Sequence, residues 1–363
     1  MNLRLDRVYI PPVDGCATTS SKLSILLARC DLLHPGYGGN KWYKLAGHQH
    51  RTQASIDAKS AGRNYRIIAP GGAYSNLVAA LSQYAKELEL VVDFIIRGEP
   101  VEDKRLSPVL RTAKHLGHRL HYLARSEYQK FNENDRLAQS TYHQKKQDLL
   151  SLCRNLDGFT LCLQDLALED VTLVPEGAGG VFGATGVMDL YKDILLAAAQ
   201  ENKTLTSIFH AAGTGSSAAG LWAASSLDTG ADIAVHAISV LRPSSLDMGV
   251  TRKLAKQALC NTLEKGAEHR KQDRLSANKF SALNNRLFCH DTYDFSHGGF
   301  AKRSPALERF SQAFEQENSI AIDHVYMAKL LYGMRVLHDT HVVGLDETMV
   351  AVHSGLSPQY PWE

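Results

Sequence analysis

Gly38-Gly39-Asn40-Lys41-Trp42-Tyr43-Lys44 joins two stretches of different character. Before it, Leu23 to Cys30 is short, apolar and bounded by polar residues, the pattern of a buried strand. After it, Leu45 to Lys59 has the composition of a helix. The two glycines let the backbone turn tightly and leave room for a bulky neighbour. Lys41 therefore sits where strand gives way to helix. Burial at such a place lowers an ammonium pKa, and the neutral amine attacks an aldehyde or carbonyl to form a Schiff base. The plain alternative is a solvent-facing side chain, one of 40 lysines and arginines.

Outward from this stretch, strand and helix patterns alternate. Arg66 to Pro70 reads as a strand ending at Gly71-Gly72. Ser75-Asn76 opens an apolar-periodic helix to about Leu88, and both residue types cap helix starts. Strands at Leu90 to Arg97 and Arg119 to Ala124 bracket a helix at Ser107 to Leu116. Ser126 to about Asn155 is polar and reads as an exposed helical insertion. Thr172 to Glu176 starts the next strand, and Gly177 to Gly180 leads into a helix to about Ala199. Thr206 to Ala212 is a strand running into Gly213-Thr214-Gly215-Ser216-Ser217-Ala218-Ala219-Gly220, and Ile233 to Leu241 is another. Asn261 to Arg286 reads as solvated helix face and loop. Pro305 to Gln316 and Tyr326 to Asp339 read as helices, and Met349 to His353 as a last strand. This alternation predicts an α/β fold with mostly parallel sheets.

The 363 residues are enough for two domains with sizeable cores. At 44% hydrophobic and 21% charged, the chain has the composition of a globular protein. A net charge of +2 gives no sign of a nucleic-acid or membrane partner. The N-terminal residues show no signal-peptide core, and no apolar run reaches the length of a membrane span. Six scattered cysteines, without a CxxC pair, predict reduced thiols, a cytoplasmic protein and no metal site.

Four further pieces carry chemistry. The Gly213 to Gly220 loop, with backbone N–H groups and a helix start, is an anion site with three readings. A Walker loop requires lysine after the last glycine, where Leu221 stands. A dinucleotide fingerprint is matched by Gly213, Gly215 and Ala218, with Arg242 after the next strand suited to a 2′-phosphate. A cradle for one phosphate monoester is the third. Gly71 to Asn76 can present N–H and hydroxyl donors to a carboxylate, or be plain helix capping. Tyr326 can stack on a flat ring or simply pack. Ser354, in His353-Ser354-Gly355 after the last strand, can hydrogen-bond a ring nitrogen or be an ordinary buried hydroxyl.

In this order the pieces resemble the pyridoxal-phosphate (PLP) enzymes of the tryptophan-synthase-like fold, fold type II. Among them the resemblance is to the 1-aminocyclopropane-1-carboxylate deaminase and D-cysteine desulfhydrase group, and it runs from about Leu23 to Gly355. Arg29-Cys30-Asp31 followed by Gly38 to Leu45 is similar to R/K-x-D…GGNK-x-R-K-L. Gly71 to Asn76 resembles GG-x-x-SNH. Pro175-Glu176-Gly177 with Gly183 to Gly186 resembles PEG…LG-x-x-G. Val325-Tyr326 with Lys329 resembles PVY-x-GK, and His353 to Gly355 resembles HTGG.

The resemblance implies two open twisted sheets with flanking helices, with PLP in the interdomain cleft. It implies a large domain from 1–45 and 172–363 and a small one from 46–171. Lys41 would hold PLP and shuttle the Cα proton. Gly213, Thr214, Gly215, Ser216 and Ser217 would hold the phosphate, Asn76 the ring's 3-oxygen and Ser354 the pyridine nitrogen. Ser75 and Tyr326 would act in catalysis, and Tyr74, Ser75, Asn76, Phe300 and Tyr326 would contact the substrate. A homodimer acting on a small amino acid is also implied, with no metal.

Four positions depart from the family pattern. Leu77 stands for His, Tyr43 for Arg, Phe300 for Tyr, and Met327 for the Glu of the ring-opening deaminases, which carry Leu near Ser354. A carboxylate keeps the pyridine nitrogen protonated, whereas a serine gives a milder electron sink suited to a good leaving group. That favours a D-cysteine desulfhydrase-like α,β-elimination giving pyruvate, ammonia and sulfide. The alternative is 1-aminocyclopropane-1-carboxylate deaminase, giving 2-oxobutyrate and ammonia. An NADP-dependent oxidoreductase, resting on the Gly213 loop and Arg242, and a non-catalytic PLP or amino-acid binding protein are the readings from other classes.

Overall fold

The structure is a computed structural model. It describes residues 2–13, 23–62, 64–128, 147, 170–228, 230, 232–241, 247–269, 292–299, 301–344, 346 and 348–355. These form two compact units. One comprises the described residues up to Gly47 and from Val181 onward, and the other runs from His48 to Gly180.

The first unit is built on a six-stranded sheet. Its strands are β1 (Leu5–Ile10), β2 (Leu23–Ala28), β7 (Ser207–Ala212), β8 (Ala234–Ser239), β9 (Thr292–Asp294) and β10 (Met349–Val352), in the order β1-β2-β10-β7-β8-β9. β1 runs antiparallel to β2, and the other pairings are parallel. β7 is buried at every residue, as a central strand covered on both faces must be. Its side chains alternate between two cores: Ile208 and Ala212 on one face, Phe209 and Ala211 on the other.

The first core is covered by four helices. They are α1 (Asn40–Gly47), α5 (Gly180–Gln200), α6 (Ser216–Leu227) and α7 (Met248–His269). The second lies under α8 (Pro305–Asn318) and α9 (Met327–Asp339). Backbones come very close around α5. A Cβ on Gly186 would strike the Tyr43 carbonyl of α1, and one on Gly220 of α6 would strike the Ala184 carbonyl.

The second unit holds a four-stranded, all-parallel sheet in the order β5-β4-β3-β6. Its strands are β3 (Arg66–Gly71), β4 (Val92–Arg97), β5 (Arg119–Leu123) and β6 (Val171–Leu173), and its helices are α2 (Gln49–Ser60), α3 (Asn76–Glu87) and α4 (Pro108–His115). Asp93, buried in β4, meets His121 at 2.8 Å, Arg119 at 3.4 Å and Arg66 at 3.7 Å.

The division between units differs from the expected boundary at 172. β6 pairs with β3, Thr172 opposite Ile67, so this strand belongs to the small sheet, and the chain leaves that unit at Gly180. Of the polar segments, 129–146 and 148–155 and also 270–286 lie outside the described residues, as does Arg242.

Candidate functional site

β2, β10 and β7 lie side by side and parallel, so their C-terminal ends open on one edge of the large sheet. Ligands of open α/β sheets bind at that edge. Three loops leave it: Arg29 to Gly39, His353 to Gly355, and Gly213 to Gly215. Gly39 has φ +83°, and a Cβ there would collide with the Ser354 carbonyl, so only glycine lets the first two loops touch. The Asn40 N–H donates to the Ser354 carbonyl at 3.2 Å. The Asn40 amide then donates to Ser217 Oγ at 3.3 Å and accepts from Lys41 Nζ at 3.1 Å. One asparagine thus links the lysine, the loop after β10 and the start of α6.

Lys41 lies in the first turn of α1, a helix that begins before the expected Leu45. Burial lowers its ammonium to about 8. Lys44, one turn on, is buried, and burial followed by the Lys41 charge pushes its pKa well down. His210 of β7 is also buried, and neither ring nitrogen has a hydrogen-bond partner. Burial, then the charges of Lys44 and Lys41, lower its pKa to about 3, so its imidazole is neutral.

α6 begins after Gly215, which has φ +81° and provides no side-chain cap. Ser216 and Ser217 in its first turn are buried. An uncapped helix start lined by glycine and hydroxyls suits an anion. Gly213 leaves space filled by Tyr326: a Cβ there would sit 3.4 Å from the tyrosine ring. Tyr326 is held by Asp323, whose Oδ1 accepts from the N–H groups of Val325 at 2.8 Å and Tyr326 at 2.7 Å. Burial raises the Asp323 carboxyl to about 6 against the pull of these donors.

Ser354 Oγ is buried and has no hydrogen-bond partner. Its N–H points at Met327 Sδ, 3.4 Å away, and Met327 itself is buried in the second core. His353 accepts from the Gly355 N–H at Nδ1 (3.2 Å), which leaves Nε2–H to donate to the Ala321 carbonyl (3.2 Å). With both ring nitrogens so used, His353 is neutral although Asp31 lies 3.8 Å away, and burial lowers its pKa.

Lys41, Gly213, Thr214, Gly215, Ser216, Ser217, Tyr326 and Ser354 therefore share one edge of the large sheet. Tyr74, Ser75 and Asn76 belong to the other unit, at the end of β3. There Ser75 caps α3, its Oγ accepting from Leu77 N at 3.2 Å and Val78 N at 3.4 Å. Those bonds use its lone pairs and leave the hydroxyl proton to donate. Tyr74 is exposed, and the Ala73 carbonyl beside it accepts from Ser107 Oγ. Phe300 lies outside the described residues. Leu77 packs in the core, and Tyr43 donates to Asp193 at 2.8 Å, so both departures serve packing.

Asn40 and His210 escaped the sequence reading. Asn40 was legible only as part of a turn. His210 left a signal, a histidine inside an otherwise apolar strand just before the glycine loop. Among the described residues no group of three His, Cys, Asp or Glu could hold a metal ion, and no helix is long and apolar enough to cross a membrane.

No family model and no curated protein sequence matches the chain. Solved structures do. An ACC deaminase homologue is 21% identical with a TM-score of 0.63, over 98% of this chain and 90% of its own. A hydrogen sulfide-producing enzyme, solved as a mutant with an α-aminoacrylate intermediate, is 11% identical with a TM-score of 0.55, over 98% and 86%. A fungal L-serine ammonia-lyase from Rhizomucor miehei is 12% identical with a TM-score of 0.52, over 98% and 95%. The chain has the two-sheet α/β fold that these enzymes share, the fold that the resemblance implies.

Proposed function

We propose that the protein is a PLP-dependent lyase that removes a β substituent and the amino group from a small amino acid. The observation that carries this is the orphaned Ser354 hydroxyl, on the same strand edge as Lys41 and the uncapped start of α6. That donor set fits a phosphorylated pyridine aldehyde. Lys41 would take the aldehyde, Gly213 to Ser217 the phosphate and Ser354 the ring nitrogen. PLP, when bound, supplies the electron sink that makes the substrate Cα proton acidic.

The rest is the work of this chain's own residues. Lys41, with a pKa of about 8, is poised to carry a proton from the substrate Cα near neutral pH. Tyr326, seated against Gly213 of the phosphate loop, would pack beside the ring. Where the ring-opening deaminases resemble this chain they carry Glu, but here Met327 is sealed in the core and Ser354 is the polar group. A neutral hydroxyl supports expulsion of a stable leaving group better than cleavage of a carbon ring. That favours an amino acid with a thiolate leaving group, and the resemblance makes it D-cysteine, which with water gives pyruvate, ammonia and hydrogen sulfide.

The test is to add PLP to the purified protein, record the absorbance of the bound chromophore, and assay D-cysteine beside 1-aminocyclopropane-1-carboxylate. Pyruvate from D-cysteine is expected. Production of 2-oxobutyrate alone would transfer the protein to the ring-opening reaction. A chromophore without turnover would make it a binding protein, and no chromophore would overturn the reading.

A further inference from the structure

Lys329 is a fully buried cation with an unusual set of partners. It lies in the first turn of α9, and its Nζ donates to three main-chain carbonyls: Val240 at 3.1 Å, Ser296 at 2.7 Å and Gly299 at 2.7 Å. Each ammonium proton thus has one carbonyl oxygen. Burial lowers the ammonium to about 8, while Asp323 and Asp294 hold it up, so it stays charged at neutral pH. The carbonyls come from two segments, the end of β8 and the turn after β9. In that turn His297, Gly298 and Gly299 all have positive φ, at +49°, +89° and +125°. A histidine in that region costs about 1 kcal/mol, and a turn of this shape needs something to hold it. The turn also packs on α9, where a Cβ on Gly333 would meet the Phe295 ring at 2.6 Å.

Three convergent carbonyl oxygens, with carboxylates behind them, are the donor set of an alkali cation. We propose that Lys329 is a built-in monovalent cation, its ammonium standing where a potassium or ammonium ion would otherwise bind the Val240, Ser296 and Gly299 carbonyls. The tether removes any need for a free ion, pins the turn to β8 and α9, and makes the fold indifferent to the surrounding salt. Removing the ammonium while leaving space uncovers the carbonyl cage as a site for a free cation. This goes beyond the proposed function and stands without it.

The experiment compares wild type, Lys329→Ala and Lys329→Met in chloride salts of potassium, ammonium, sodium and tetramethylammonium at equal ionic strength. Thermal unfolding is the readout. Wild type is expected to show one Tm in all four. Lys329→Ala is expected to lose on the order of 10 °C in tetramethylammonium and to recover saturably with potassium or ammonium. Lys329→Met, whose side chain fills the cage without charge, is expected to be destabilised and blind to the salt. If shortening prevents folding, Lys329→Ala should be soluble when purified in potassium and precipitate on exchange into tetramethylammonium. Equal Tm of Lys329→Ala in all four salts, insolubility in all of them, or a Lys329→Met protein as stable as wild type would overturn the proposal.

Discussion

Ser354 holds its hydroxyl in a buried position with no partner. A buried hydroxyl in that condition costs about 1–3 kcal/mol, so a ligand is the natural reason to keep it. Ser354→Ala is expected to leave the Tm of the cofactor-free protein unchanged or higher, while weakening PLP binding. A lower cofactor-free Tm with undiminished PLP binding would show that the hydroxyl serves the fold alone. Lys41 makes a second prediction. Only the neutral amine attacks an aldehyde, and burial sets its pKa near 8. The rate at which added PLP forms its bound chromophore should rise with pH through about 8 and level off above it. A midpoint near the ordinary lysine value of 10.5 would mean that Lys41 is not desolvated when it reacts. That Lys41, Ser354 and the Gly213 loop follow strands was legible from the apolar runs before them, while their roles came only with the resemblance. Asn40 was not, because its role is a set of contacts to residues far away in the chain.

α5 is wedged between α1 and α6 by glycines. Gly186 faces the Tyr43 carbonyl and the Gly47 backbone, and Gly220 faces the Ala184 carbonyl. Gly186→Ala should cost roughly 1–3 kcal/mol, at the upper end because the atoms met are backbone, and chemical denaturation will measure it. A neutral substitution would mean that α1 and α5 are free to separate. Long apolar or amphipathic elements were readable: β2, β7, α3, α8 and α9 fall where the pattern puts them, within a residue or two. Other elements were not. β1 is an edge strand that mixes Asp6 and Arg7 with its buried residues, so its charges read as a terminus. β9 is three residues long. α7 carries charge along its length, and its apolar face is set by α6 rather than by a strong period of its own.

The whole molecule has two units with separate cores, and each should respond to its own lesions. Asp93→Ala removes the carboxylate that His121, Arg119 and Arg66 surround. It should cost on the order of 2 kcal/mol, since the cations left behind are partly exposed. Hydrogen exchange should quicken across β3, β4 and β5 and stay slow in β7 and β10, and Gly186→Ala should do the reverse. Uniform acceleration in both sheets would contradict two separate cores. The division was legible only through the family resemblance. Its second boundary was not, because β6 joins the small sheet by pairing with β3, more than a hundred residues earlier in the sequence.

The account turns on one nitrogen, Lys41 Nζ, with the buried Lys44 one turn away as its rival. The most direct test is to mix the protein with PLP, reduce with borohydride and map the modified peptide by mass spectrometry. The prediction is a single phosphopyridoxyl group on Lys41, absent from Lys41→Ala. Label on Lys44, or label that persists in Lys41→Ala, would contradict it.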